Sequence, residues 1–546
     1  MVDGQKVKLF TGRFRTMEPS QPTAEAVVVV DGMIADVGTE SEVAHWLEGR
    51  SHEVVDLAEH TVFPGFIDNH LHPSLAGLLL QMPLCTPDEW HLPTGAVPAV
   101  RDRASLLTRL ADIVAAHTGD GPIICWGWHG PIHGPLTRQD LDALCPDRPM
   151  FAWGRSFHDM VVNTEGLRFA GIDPEATAFP GSGDVAAGYF AETAMMVVGE
   201  KLIPFAWNPE KAMSGLGLVF AMMHRGGITT IADQMFFGFA GDADWDLLQA
   251  AVAANEPPLR MLLVPAPIRL VHWGAEAFDR IEALPERNTE RIRFAKHVKM
   301  FADGAFISQA MQLRPPGYVD GHHGEWMTAP EQFFDQQMPY WTAGYTIHIH
   351  VNGDLGIDAV LDTVEQMQTA HPRVDHRYTL HHFGISAPDQ VCRMKELGVG
   401  ASVNGYYLNL WGNSFVPGLG HARASEMIRC GSLAREGVRF SLHSDVPMGP
   451  CEPLVGAWAI ATRRTIEGGV LGEGERVDVD TAMRAITIDA AYAIKMDHEI
   501  GSIAVGKRAD FTVLDDDPYD VDLDHIADIS IWGTVLGGVP YPIDRT

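Results

Sequence analysis

The sequence predicts a (β/α)8 barrel joined to a composite β-sandwich built from both chain termini. Three observations lead there. Eight short apolar runs alternate with amphipathic stretches through the middle of the chain, as parallel strands buried inside a ring of helices require. About the first 65 residues read instead as short strands separated by turns. A similar texture of strands between Gly and Asp turns returns after residue 500.

Taken in order, the N-terminal strands fall at 6–10, 26–30, 33–37 and 54–57, with Asp31-Gly32 as a hairpin turn between the second and third. Barrel strands are expected at 62–72, 228–233, 260–264, 297–302, 346–351, 378–383, 400–403 and 440–444. The interval after the first of these is too long for one crossover, so an insertion over about 74–221 is expected to cover the barrel mouth. Strand-like segments at 501–505, 510–514 and 529–535 then complete the sandwich. The implied domains are 1–62 and 491–546 for the two parts of the sandwich and 63–490 for the barrel.

Composition narrows the function classes. With 546 residues, 46% apolar and 20% charged, the chain can bury a large core, and disorder is excluded. A net charge of −31 argues against nucleic acid or an anionic membrane as partner, because binding phosphate takes concentrated Lys and Arg. No apolar run reaches the roughly 20 residues of a membrane span, and residues 1–14 lack the apolar core of a signal peptide. The six cysteines are scattered with no C-x-x-C, so a reducing, cytoplasmic setting is expected. A homodimer is compatible with the sequence, which carries no assembly motif for or against it.

The segment V-F-P-G-F-I-D-N-H-L-H-P-S (62–74) carries the chemistry. His70 and His72 stand two apart on a strand, so both imidazoles share one face and can grip one metal ion. Among 25 His some close pairs arise by chance, but here Pro64-Gly65 opens a buried strand and Pro73 ends it where a barrel-mouth site lies. Two inward imidazoles without a ligand are costly to bury. Further candidates follow in order: Lys299 in H-V-K-M-F-A-D-G, His350 in H-I-H-V-N-G-D, His382 in L-H-H-F-G and Asp445 in L-H-S-D-V-P.

Each candidate has an alternative. A buried lysine is commonly snorkelled or ion-paired, and an ammonium cannot bind a cation. Desolvation lowers its pKa, however, and frees the amine to form a carbamate with carbon dioxide. His350 competes with His348 and His297 and is preferred as the nearest to its strand's C-terminal end. His381 and His382 are expected to point opposite ways, with His382 facing the barrel. Asp445 is either a helix cap or the general base of a hydrolase.

Segment 62–74 resembles the first barrel strand of the amidohydrolase superfamily. V-K-M-F-A-D-G (298–304), H-V-N-G-D (350–354), S-D-V-P (444–447) with T-R-R-T (462–465), and I-G-S-I-A-V-G-K-R-A-D (500–510) narrow the resemblance to its YtcJ-like, amidohydrolase-3 branch. That branch includes N-substituted formamide deformylases. P-L-T-R-Q-D-L-D-A-L-C-P-D-R-P and F-H-D-M-V-V-N extend the resemblance into the insertion. It implies a carboxylated Lys299 bridging two divalent ions, most simply Zn2+, with a water between them. It also implies that His70, His72 and Asp445 hold one ion while His350 and His382 hold the other. His158 and Asn163 match insertion positions that tend to face the active site, and with Trp128 they are expected as substrate contacts, a buried structural pair being the equal alternative for His158 and Asn163. The branch usually has Glu before the His382 position, where this chain has His381.

The expected function is hydrolysis of a carbon–nitrogen bond, in an amide or N-substituted formamide, with Asp445 as general base and then acid. Ester, lactone or carbamate hydrolysis is the nearest alternative. A mononuclear deaminase of this fold commonly uses a Glu just after the fifth-strand histidine, and 350–354 has none. A non-catalytic scaffold is opposed by the complete ligand series. The expected partner is a small molecule with an apolar or aromatic moiety, suggested by the insertion tryptophans, Met82, Leu84, Tyr406, Tyr407, Trp411 and Phe236-Phe237-Gly238-Phe239.

Overall fold

A computed structural model describes residues 6–202, 205, 208–238 and 241–544. Strands from both ends of the chain share one seven-stranded sheet. Val7–Arg15 pairs antiparallel with Thr23–Val30 and parallel with Glu53–Pro64. Phe511–Leu514 adds to the second half of Glu53–Pro64, and Ile531–Leu536 and Val539–Pro542 extend that edge. The hairpin between Thr23–Val30 and Met33–Gly38 turns on Asp31 at φ 50° and Gly32 at φ 82°, the left-handed pair that a tight two-residue turn demands.

The central strands form two parallel sheets. Phe66–Leu71, Ile228–Phe236, Arg260–Pro265 and Ile292–Phe294 make one. His297–Phe301, Thr346–Val351, Thr379–His382, Gly400–Asn404 and Phe440–His443 make the other. The fourth expected strand, 297–302, is present as His297–Phe301, and Ile292–Phe294, just before it, is a further short strand that belongs to the other sheet. Most of these strands are buried along their whole length, as parallel strands covered on both faces are. Helices such as Ala243–Asn255, Asp354–Ala370 and Pro388–Leu397 run between successive strands. At the C-terminal ends, Asp445 N donates to His70 O at 3.0 Å and His72 N to Val446 O at 3.1 Å. These bonds join the ends of Phe440–His443 and Phe66–Leu71.

The insertion between Leu71 and Ile228 has its own five-stranded sheet, in which Ile123–Trp128, Met150–Gly154 and Asp159–Val162 lie side by side. Two expected substrate contacts are structural parts of it. Asn163 Oδ1 caps the helix Thr164–Phe169 by accepting from Gly166 N at 2.7 Å, and it also accepts from Met150 N at 2.9 Å. Its Nδ2 donates to the carbonyls of Cys145 at 2.7 Å and Arg148 at 2.8 Å. No hydrogen-bonding capacity is left for a ligand. Trp128 donates Nε1 to Gly134 O at 3.1 Å and packs in an apolar cluster with Leu106, Leu141 and Cys145.

Among the described residues, no helix is long and apolar enough to cross a membrane. Asn163→Ala is expected to lower stability toward urea by at least about 2 kcal/mol, because buried backbone groups lose their partners. The same variant leaves KM for any substrate unchanged; a raised KM at unchanged stability contradicts the structural assignment.

Candidate metal centre

Three side chains meet where the first and last parallel strands join. His70 and His72 leave the end of Phe66–Leu71 on one face, and Asp445 follows Phe440–His443 directly. His70 Nε2 lies 3.3 Å from His72 Nε2 and 3.5 Å from Asp445 Oδ1, and His72 Nε2 lies 3.3 Å from the same oxygen. A tetrahedral metal with bonds of about 2.0–2.2 Å separates its ligand atoms by about 3.3–3.5 Å. The triangle thus has the size of one face of such a site.

The protonation states suit a cation. Burial, and then the Lys299 charge, hold His70 well below its ordinary pKa, so its imidazole is neutral and offers a lone pair. Burial also lowers His72, but the carboxylates of Asp233 and Asp445 outweigh it and raise the group. Asp233 Oδ1 stands 3.9 Å from His72 Nδ1, which has no hydrogen-bond partner, so Asp233 acts there as a charge. Two carboxylates favour positive charge at this point, whether a proton or a metal ion.

Lys299 lies inside the same cluster. Its Nζ is 3.5 Å from His70 Nε2, and the residue is 1% exposed. Burial brings the amine down to about 7 from its ordinary 10.5, with Asp445 opposing. A second group adjoins it: His382 Nδ1 is 3.7 Å from Asp445 Oδ2, and the His382 ring lies 4.5 Å from that of His350 and 4.7 Å from that of His70. His350 Nε2 itself lies 3.0 Å from Asn352 Nδ2. His443 also belongs here, with Nε2 3.2 Å from His382 Nδ1. Among the described residues, the ligand atoms of His70, His72 and Asp445, and those of His70, His382 and His443, lie within 4.8 Å of one another. His443 was legible only as the residue two before Asp445 in L-H-S-D.

The expected alternation of His381 and His382 does not hold. His382 has φ 75°, which turns the strand out of its pleat, so both rings reach His70, at 4.6 and 4.7 Å. Asp68, just before the pair, braces the joint by accepting from Ser444 N at 3.2 Å and His70 N at 3.3 Å.

On the open side, His158 stacks on His350 with ring centroids 6.2 Å apart, and its Nδ1 is 2.9 Å from Glu192 Oε2. Burial lowers this histidine, but Glu192 raises it further, so a positive imidazole is favoured beside His350. Phe301 faces His350 at 5.8 Å, and Tyr407 OH lies 3.3 Å from His382 Nδ1. Asn163 and Trp128 are not brought to this group. Trp126 and Trp411 instead enclose the Arg155 guanidinium, at 4.6 and 5.2 Å. Arg155 donates to the carbonyls of Pro447 at 2.9 Å and Met448 at 3.1 Å and pairs with Asp88. These tryptophans therefore hold the segment after Asp445. Phe236 and Phe237 pack on Phe294 in the core, and Phe239 lies outside the described residues.

Comparison with known proteins accords with this geometry. The model of the amidohydrolase family matches residues 53–541. An N-substituted formamide deformylase of Arthrobacter pascens is 27% identical over 565 aligned positions, covering 99% of this chain and 98% of its own. The protein YtcJ of Bacillus subtilis (strain 168) is 25% identical, with 96% and 97% covered. Among solved structures, an uncharacterized metal-dependent hydrolase from Pyrococcus horikoshii OT3 superposes with a TM-score of 0.73 at 21% identity, over 95% of this chain and 99% of that one. The chain belongs to the amidohydrolase family, within its YtcJ-like, amidohydrolase-3 branch.

Proposed function

We propose that this protein hydrolyses a carbon–nitrogen bond in an amide or N-substituted formamide, using two divalent ions, most simply zinc. The observation that carries the reading is the triangle of His70, His72 and Asp445, with edges of 3.3–3.5 Å, beside the buried amine of Lys299. The two parallel sheets are taken as one closed (β/α)8 barrel spanning about 63–490, and the terminal segments 1–62 and 491–546 as a composite sandwich beside it.

His70, His72 and Asp445 would hold one ion and His350 and His382 the other, with carboxylated Lys299 between them and His443 at the edge of the second group. Bound there, the ions would polarise a carbonyl and supply a water of lowered pKa at neutral pH. The chain's own residues do the rest. Asp445 turns Oδ1 toward His70 and His72 and Oδ2 toward His382, so it reaches both halves of the site. It takes the proton of the attacking water and returns it to the leaving nitrogen, which matters because an amide anion is a very poor leaving group. His158, kept positive by Glu192, donates toward the substrate on the open side, and Phe301 and Tyr407 receive its apolar part.

A deaminase is disfavoured by position and by bonding. The nearest acid after His350 is Asp354, whose Oδ1 accepts from Arg314 N at 2.7 Å and whose Oδ2 lies 3.3 Å from Arg423. Its carboxylate is committed to Arg314 and Arg423 at the start of the helix Asp354–Ala370.

The test uses protein produced with zinc and bicarbonate on a panel of N-substituted formamides, N-acyl amines and matched esters. The expected result is amine release with about two metals per chain, falling below one with loss of turnover in Lys299→Ala. Turnover of esters alone, or a metal content unchanged by Lys299→Ala, contradicts the reading.

The lysine amine makes a separate prediction. Its folded pKa is about 7, so it is neutral above that pH and protonated below it. In metal-free protein at fixed dissolved carbon dioxide, 13C-carbamate formation at Lys299 is expected to rise as pH increases through about 7. Formation that starts only near the ordinary lysine range, about pH 10, contradicts it.

A further inference from the structure

Four buried histidines form a file leading away from the metal triangle. His70 Nδ1 lies 2.6 Å from His381 Nδ1, His381 Nε2 lies 2.8 Å from His348 Nδ1, and His348 Nε2 lies 2.9 Å from His297 Nδ1. None of the four is more than 2% exposed. Strand register explains the file. His297 pairs with Thr346, two residues before His348, and His348 pairs with Thr379, two residues before His381. Each step across the sheet thus climbs two residues toward the C-terminal ends, where His70 waits on the first strand.

Burial holds all four imidazoles below their ordinary pKa. A neutral imidazole has one N–H and one lone pair, and each N···N hydrogen bond consumes one of each. The file therefore has two proton arrangements. In the first, His70 carries its proton on Nδ1 and donates to His381, which donates from Nε2 to His348, which donates from Nε2 to His297. His70 Nε2 then presents a lone pair to the triangle it forms with His72 and Asp445. In the second, every proton sits on the opposite nitrogen, and His70 Nε2–H points into the triangle and blocks a metal bond.

We propose that His381 and His348 are positioning residues that hold His70 in its Nδ1–H form, so that the lone pair of Nε2 stays directed at the metal site. The inference rests on the metal-centre reading above. It also gives His381 a role that a carboxylate at the same position would fill differently. A carboxylate accepts the His70 proton unaided, whereas a histidine acceptor must pass its own proton on to His348.

The experiment uses the full chain labelled with 15N-histidine, together with zinc dissociation constants from chelator competition. In metal-free wild-type protein, His70 is expected to be protonated on Nδ1, with N–H···N coupling to His381. His348→Phe is expected to raise the zinc dissociation constant roughly 10- to 100-fold, the usual cost of losing a partner behind a ligand, with an unchanged circular dichroism spectrum. In a His381→Glu background the same change at 348 is expected to have little effect, because the carboxylate needs no further acceptor. His70 protonated on Nε2 in the metal-free protein overturns the proposal. So does zinc affinity indifferent to His348→Phe, or equal sensitivity to it in the His381→Glu background. If His348→Phe does not fold, the wild-type spectrum decides alone. Because that spectrum needs no metal, it separates failure of this inference from failure of the metal-centre reading, which the zinc count of wild-type protein tests.

Discussion

The hydrogen bond from the amide of Asp445 to the carbonyl of His70 is the joint on which the site depends. It ties together the ends of two strands that lie far apart in sequence, and without it the metal triangle has no reason to exist. The chain reinforces the joint from several sides. His72 N donates back to Val446 O, Asp68 accepts from Ser444 N, and Arg155 grips the carbonyls of Pro447 and Met448 from within a cage of tryptophans. Asp445 itself sits at φ 56°, a left-handed conformation that costs on the order of 1 kcal/mol and persists only where the surroundings enforce it. That enforcement places a carboxylate between two groups of histidines.

Burial is the second constraint, and it acts on charge. A lysine and at least six histidines share a small buried volume, where charging them all is prohibitive. Burial keeps most of the imidazoles neutral and brings the lysine amine near neutrality. Each neutral imidazole, like a neutral amine, offers a lone pair that a cation can accept. The exception is His72, where two carboxylates restore the preference for positive charge. The same physics that makes so many buried imidazoles costly without a ligand makes the cluster a site.

Much of this was legible in the sequence. Continuous apolar runs marked the parallel strands, and the two-residue spacing of His70 and His72 placed both on one face. Lys299 and Asp445 followed from the order of motifs along the strands. What escaped was whatever depends on a local departure from strand geometry or on distant packing. The positive φ of His382 brings His381 and His382 to His70 together, and no pattern of alternation foretells it. For Asn163 the family resemblance leaves a substrate contact and a buried structural role equally open, and its amide is spent on four backbone partners. Trp126 and Trp411 suggested an aromatic pocket, but they surround an arginine. In each case the residue type is compatible with both roles, and only its neighbours in space distinguish them.

The central claim is that these residues together form a two-metal site with Lys299 between the ions. Anomalous diffraction at the zinc edge, from crystals grown with zinc and bicarbonate, tests it most directly. Two peaks about 3.5–4 Å apart, one against His70, His72 and Asp445 and one against His350 and His382, with density continuous from Lys299 to both, are the predicted result. A single peak, or two peaks with a plain lysine side chain standing clear of them, would contradict the account.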